Sequence, residues 1–278
     1  MQNLKFGLAI PYGSARTAAR MAQLAEQAGW AGLFLGDAIW CEDPMIALAA
    51  AGMVTERIRL GIMVIPAPLR RPWKIASEAL ALDRLSNGRM LLGLGAGAVW
   101  MGWHAFPDAV QDAKIRGEML DETIDIITLL FNRVQADYAG KHFSLKLTHL
   151  DMAHYPPAPV QQPRIPIWVP GLWPSKKSLS HVLKADGVLP EKFSASGKVE
   201  ELTPADVRAI NDYVAEHREL TTPFDIVVTG QVGDLSRMEQ QDKLSGWQEA
   251  GTTWWVESMW SLSEEQVQER IAQGPPVS

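Results

Sequence analysis

Apolar runs and turn residues alternate along this chain with a regular beat. Short runs at 5–10, 32–36, 59–65, 90–94, 165–169, 187–189, 224–229 and 253–257 are apolar or glycine-rich through most of their length. Parallel strands covered on both faces read this way. Between them, longer amphipathic segments at 14–28, 44–55, 72–86, 115–131, 174–184, 204–218, 235–250 and 264–272 predict helices. Gly29 stands at the exit of the first helix and Asn87-Gly88 at the exit of the third, where a left-handed residue ends a helix. Residues 134–165 break the beat with Tyr138-Ala-Gly-Lys-His-Phe and Tyr155-Pro-Pro-Ala-Pro, which predict a surface hairpin and a proline-rich connector.

Eight strand–helix units imply an α/β protein with a parallel sheet. Their number and the chain length of 278 residues fit a (β/α)8 TIM barrel, one domain over 1–278. A doubly wound sheet would want a Gly-x-Gly-x-x-Gly turn after an early strand, and none follows the first or second.

In such a barrel the ligand site lies at the C-terminal strand ends. The run 59–65 stops at Pro66, and 90–94 runs into Gly93-Leu-Gly95-Ala-Gly97, where backbone can approach a ligand closely. The rest of the predicted rim includes Pro11-Tyr12, Asp37 to Trp40, Pro170 to Trp173, Pro190-Glu191, Gly230-Gln231 and Glu257-Ser258. Its only fixed charges are Asp37, Glu191 and Glu257. That lining suits a large, flat, apolar ligand with a polar tail better than a sugar or a metal cluster. His149 and His154 lack a metal-ligand spacing, so no metal is expected.

Composition narrows the partners. A net charge of −6 with no basic block argues against nucleic acid. No apolar run reaches the roughly 18 residues needed to span a bilayer, and the first residues lack a signal-peptide layout. The single Cys41 excludes an intramolecular disulfide. A cytoplasmic protein acting on a small molecule is expected.

Four segments carry a resemblance: Ala25-Glu-Gln-Ala-Gly-Trp, Thr55-Glu-Arg-Ile-Arg-Leu-Gly, Leu82 through Gly97, and Pro163-Arg-Ile-Pro-Ile-Trp-Val-Pro-Gly. Together they resemble the bacterial luciferase-like monooxygenase family, and the tail from Gly251 resembles a compact subgroup lacking the large barrel insertion. The resemblance implies a (β/α)8 barrel using reduced FMN or the deazaflavin coenzyme F-420, a homodimer and, for flavin users, a separate flavin reductase.

It also places candidate residues. The family's phosphate-binding segment falls on Gly171, Ser175, Lys176 and Lys177, where a helix start and two lysines favour an anion, with Pro174 suited to the first helical turn. Met63 and Val64 fall where many members carry a bulge behind the flavin ring, and Gly95, Ala96 and Gly97 where the backbone passes the cofactor. After Gly97 the family often has a charged residue; this chain has Ala98-Val-Trp-Met-Gly-Trp-His, leaving Trp100 as a substrate contact and His104 as a catalytic candidate. Many members have an acidic residue then histidine after the second strand; here Asp37 precedes Ala38, so Asp37 becomes the candidate base and Trp40 a stacking residue. Glu257 on the last strand is a further acid/base candidate, with a structural ion pair as its alternative. Glu118, Asp121, Glu122 and Asp125 read as a solvated helix face, and Asp83, Arg84 and Arg89 as a stabilising network at the far end.

The reading is a flavin-dependent monooxygenase that uses reduced FMN and oxygen on a small hydrophobic substrate. The alternatives are deazaflavin-dependent hydride transfer and a flavin-binding protein without turnover. An apolar, tryptophan-rich rim suits chemistry that must exclude water.

Overall fold

A computed structural model describes residues 4–11, 13–155, 157–194 and 198–276; Tyr12 of the predicted rim lies outside them. The elements alternate: β1 (Lys5–Ile10), α1 (Ala15–Gln27), β2 (Gly32–Leu35), α2 (Pro44–Gly52), β3 (Arg59–Pro66), α3 (Pro72–Leu85), β4 (Met90–Gly95) and α4 (Ala113–Phe131). A hairpin of β5 (Tyr138–Ala139) and β6 (Ser144–Leu145) follows. The second half holds β7 (Ile167–Trp173), α5 (Lys176–Val182), β8 (Gly187–Phe193), β9 (Val199–Glu200), α6 (Pro204–His217), β10 (Asp225–Gly230), α7 (Arg237–Glu249), β11 (Trp254–Ser258) and α8 (Glu264–Ala272).

The strand order β10-β11-β1-β2-β3-β4-β7-β8 closes through a parallel β10–β8 pairing, giving an eight-stranded (β/α)8 barrel. β9 adds antiparallel to the outer end of β8.

Alternation along each strand sorts side chains between the barrel axis and the helix layer. On the axis, Phe34, Trp168 and Trp254 fill the lumen with ring centroids 5.4–5.7 Å apart. Three large rings fit because glycines face them. A Cβ on Gly7 would stand 2.7 Å from Phe34, one on Gly32 2.9 Å from both Phe34 and Trp254, and one on Gly187 2.5 Å from Trp168. The lumen is therefore a packed plug, and any ligand space must lie above it. Trp255 faces the other way, against Trp247 of α7.

The far end of the barrel is tied by buried polar groups. Asp83 accepts from the Val160 amide and the Gln161 side chain, both at 2.7 Å. Arg89 donates to the carbonyls of Gly52, Thr55, Ile58 and Ser86. Each braces a different loop, so the two work side by side rather than as one pair, and Arg84 is exposed.

Three boundaries differ from expectation in ways that shape the site. β8 runs four residues past the predicted 187–189, because its ladder with β7 continues through Pro190, Glu191 and Lys192 and β9 then pairs with Lys192 and Phe193. β7 begins at Ile167 and reaches Trp173. α5 starts only at Lys176: Ser175 is its N-cap, and Pro174 lies outside the helix after a cis Trp173–Pro174 bond.

Candidate functional site

A cavity of about 750 Å³ opens at the C-terminal strand ends, walled by β3, β4, β7 and β8 on one side and by α4 and α5 on the other. Its floor begins at β3. The β3–β4 ladder slips between Ile62 and Ile65, and the Met63–Val64 peptide bond is cis. The bulge turns the Val64 side chain toward β4. There it meets Gly93 and Gly95, whose Cβ atoms would stand 3.0 and 2.7 Å from the Val64 methyls. A larger residue at 95 would push this wall into the cavity.

The floor continues through Ala96 and Gly97. Gly97 has φ +85°, and a Cβ there would overlap the buried Trp103 ring. Arg116 holds this loop from α4: it donates to the Ala96 carbonyl at 3.0 Å and to the Gln111 carbonyl, and lies over the Trp103 ring. It is a brace rather than a free cation.

Two helix faces form the outer arm. On α4, Lys114, Gly117, Glu118 and Asp121 recur at the spacing of one helical face and all line the cavity. On α5, Lys177 and His181 do the same. The arms meet where His181 Nδ1 lies 2.7 Å from Asp121 Oδ1. Glu118 is partnered by Lys141 and His142 at 2.7 and 2.8 Å, and hydrogen bonds from these two hold its carboxyl down to about 2. The expected solvated face on α4 is thus corrected. Asp121 faces the cavity, and Glu122 is buried, accepting from the amides of Lys141, His142 and Phe143 to fasten the hairpin.

Asp37 enters from the end of β2. Its side chain is only 5% exposed, and burial pushes its carboxyl up to about 6, against the opposing pull of Arg70. Arg70 Nη2 stands 3.0 Å from Asp37 Oδ2, but its hydrogen bond goes to Asp43. The Asp37 oxygen is left with charge attraction and no aligned donor.

The cavity brings together Asp37, Met63, Val64, Gly95, Ala96, Gly97, Trp100, Ser175 and Lys177 of the predicted site. It does not include the others. His104 sits exposed on a short 3-10 turn, and Lys176 projects into solvent from the far side of α5. Trp40 is 85% exposed and off the cavity lining, whereas Trp100, 82% exposed, stands at the mouth. Gly171 faces the helix layer, where a Cβ would meet Val188 and Val182.

Glu257 is the clearest correction. It is 2% exposed, faces the helices, and pairs with Arg270 of α8 at 3.3 Å while accepting from Trp255 Nε1 and the Val232 amide. The structural alternative is the one realised, because Glu257 shares its face with Trp255 and that face packs outward.

Glu191, Asp121 and His181 line the cavity without having been assigned roles from sequence. Their signal was periodicity: Glu191 lies two residues beyond lumen-facing Leu189, and His181 four residues beyond Lys177. Among the described residues no helix is long and apolar enough to cross a membrane.

An apolar slot with a glycine-lined floor, a polar outer arm and a few carboxylates can hold a planar ring system with a charged tail. A family model described as luciferase-like monooxygenase matches residues 4–232. A putative coenzyme F420-dependent oxidoreductase of Mycobacterium tuberculosis is 35% identical over 202 residues, 70% of this chain and 50% of the relative. A 4-hydroxyprotoasukamycin monooxygenase of Streptomyces nodosus subsp. asukaensis is 34% identical over 112 residues, 38% of this chain and 29% of that protein. The chain thus matches half or less of the length of these curated relatives. Among solved structures, an F420-dependent secondary alcohol dehydrogenase superposes with a TM-score of 0.76 at 12% identity, covering 99% of each chain.

Proposed function

The chain belongs to the luciferase-like monooxygenase family, and on that premise we propose that it is a two-electron oxidoreductase whose cavity holds a deazaflavin and passes a hydride between it and a small apolar substrate. The carrying observation is the cavity's two-part form. An apolar floor from Met63 to Gly97 runs into a polar arm between α4 and α5 that bears Lys114, Lys177 and His181. The floor suits the flat ring and the arm suits an anionic tail, with Ser175 and Lys177 placed for the phosphate. A bound deazaflavin supplies the hydride-accepting or hydride-donating carbon. The protein's own part is to orient the ring against the Val64 bulge, keep water from it with apolar walls, and place carboxylates beside the substrate. The oxidoreductase of M. tuberculosis supports the cofactor choice by its name. This reverses the preference for FMN read from the sequence.

A second reading keeps reduced FMN and oxygen. The monooxygenase of S. nodosus and the dry floor favour it. A separate reductase would then be needed. Homodimerisation belongs to either reading; the exposed Ile46 on α2 and Met53 just past its C-terminal end support it, and sedimentation of the purified protein checks it.

Titration of the purified protein with FMN and with the deazaflavin, each oxidised and reduced, tests the choice by fluorescence. Micromolar binding of the deazaflavin with FMN at least tenfold weaker is expected. Tighter binding of FMN, with oxygen uptake when a flavin reductase is added, overturns it in favour of the second reading.

A further inference from the structure

The guanidinium that neighbours Asp37 is shared. Arg70, in the loop after β3, stands against three carboxylates: Asp37 and Asp43 at 3.0 Å from Nη2, and Glu78 of α3 at 3.6 Å from Nη1. Lys74 adds a second cation only on the Glu78 side, at 3.7 Å. The Cys41 thiol completes the surroundings, 3.9 Å from Asp37 Oδ1. Of these groups Asp37 alone lines the main cavity.

The acceptors compete for Arg70 on unequal terms. Asp43 is the N-cap of α2, and its Oδ1 accepts from the amides of Met45 and Ile46 at 2.8 and 3.3 Å. Those bonds lock the side chain, and the positive end of the helix favours its anion. The other oxygen, Oδ2, is thereby presented to Arg70 and takes the hydrogen bond. Asp37 has no such anchor. Its Oδ2 is closed off from solvent and lies close to the same nitrogen without an aligned N–H. A carboxylate kept from water and short of hydrogen bonds is costly, and protonation relieves that cost.

We infer that Asp43 is a positioning residue for the cavity: by keeping the Arg70 guanidinium on its own carboxylate, it withholds a hydrogen bond from Asp37 and leaves Asp37 a proton carrier on the cavity wall. The use of that proton rests on the reading of the cavity as the site of hydride transfer. The coupling of the three residues is a property of the chain alone.

Carbon-13 NMR of the full chain, labelled at its aspartate carboxyl carbons, tests the coupling, with Asp37→Asn identifying the Asp37 signal. Wild-type Asp37 is expected to titrate at about 6. Asp43→Asn keeps the cap, because asparagine caps as well as aspartate, and turns an NH2 donor toward Arg70. The guanidinium should then swing to Asp37. The Asp37 midpoint should fall by about one pH unit or more, a roughly tenfold loss of proton affinity. Losing the Asp43 charge lowers the midpoint by itself, so a cycle with Arg70→Gln separates the two effects. In the Arg70→Gln chain, Asp43→Asn should move the midpoint far less. An Asp37 signal that ignores Asp43→Asn, or that moves equally with and without Arg70, overturns the inference. With cofactor bound, Asp43→Asn should carry the pH profile of turnover down by the same interval. A profile that stays put while the signal moves overturns the use of the proton in the cavity. Titration of the same samples with both cofactors keeps the readings apart: a wild type that binds neither refutes the cofactor site, while the carbon signals still decide the coupling.

Discussion

Arg70 stands 3.0 Å from Asp37 and equally close to Asp43, yet it gives its hydrogen bond to Asp43 alone. Asp37 is thereby held in place by charge without being fully stabilised as an anion. Desolvation outweighs the attraction, and its carboxyl titrates near pH 6. A carboxyl on the cavity wall that changes charge in this range is a usable acid or base.

The same shift has a cost in stability. Asp37 is raised from 3.8 in the unfolded chain to about 6 in the folded one. The unfolded chain therefore ionises more readily, and stability falls as pH rises between those values. A shift of this size corresponds to about 3 kcal/mol. Asp37→Asn should remove that loss, so the variant should gain about 3 kcal/mol on the wild type between pH 4 and pH 7. Urea denaturation at pH 4, 5.5 and 7 reads the difference; parallel curves would show that Asp37 titrates normally.

The lumen makes a separate prediction. A Cβ on Gly61 would overlap the Phe34 ring, which is already enclosed by Trp168 and Trp254. Gly61→Ala should destabilise by about 1–3 kcal/mol, the usual range for overpacking a core. Phe34→Leu in the same chain should recover part of that loss. The double-mutant cycle should return a favourable coupling, and strict additivity would place the strain elsewhere.

The barrel was legible because parallel strands and amphipathic helices have different periods, and each glycine- or proline-marked end could be read in turn. The floor of the site was legible for the same reason, since Gly95 and Gly97 stand at a strand end. What escaped was direction. Glu257 and Glu191 both sit near strand ends, but alternation turns one outward to Arg270 and the other inward over the axis. Ending β8 at residue 189 hid the second. On α4, acidic residues at helical spacing read as solvated because nothing in the sequence says that α5 brings His181 against them.

Gly117 separates stability from binding. It lies in the middle of α4 on the face that lines the cavity, and a Cβ there would meet only His181, at 3.8 Å. Gly117→Ala should therefore raise stability by about 0.5–1 kcal/mol, the ordinary gain at a helix interior. The added methyl occupies the polar arm, so cofactor affinity should fall severalfold. Thermal melting and fluorescence titration of one sample read both effects. A gain in stability with unchanged affinity would move the cofactor tail away from α4.

Glu257 gives the sharpest contrast between a strand-end acid that acts and one that supports. Arg270 stacks on Trp30 at 4.7 Å and is itself buried. Glu257→Ala leaves that cation without its partner and removes the acceptor for Trp255 and the Val232 amide. Breaking one side of a buried pair costs about 3–5 kcal/mol, because the remaining charge is left desolvated. The variant should melt far below the wild type but bind cofactor with unchanged affinity at temperatures where it is folded, since Glu257 is absent from the cavity wall. A role in catalysis would give the opposite pattern, with stability kept and turnover lost, and replacing Arg270 and Glu257 together by apolar residues decides between them. That double variant should regain much of the stability and keep its activity if the pair only supports the fold.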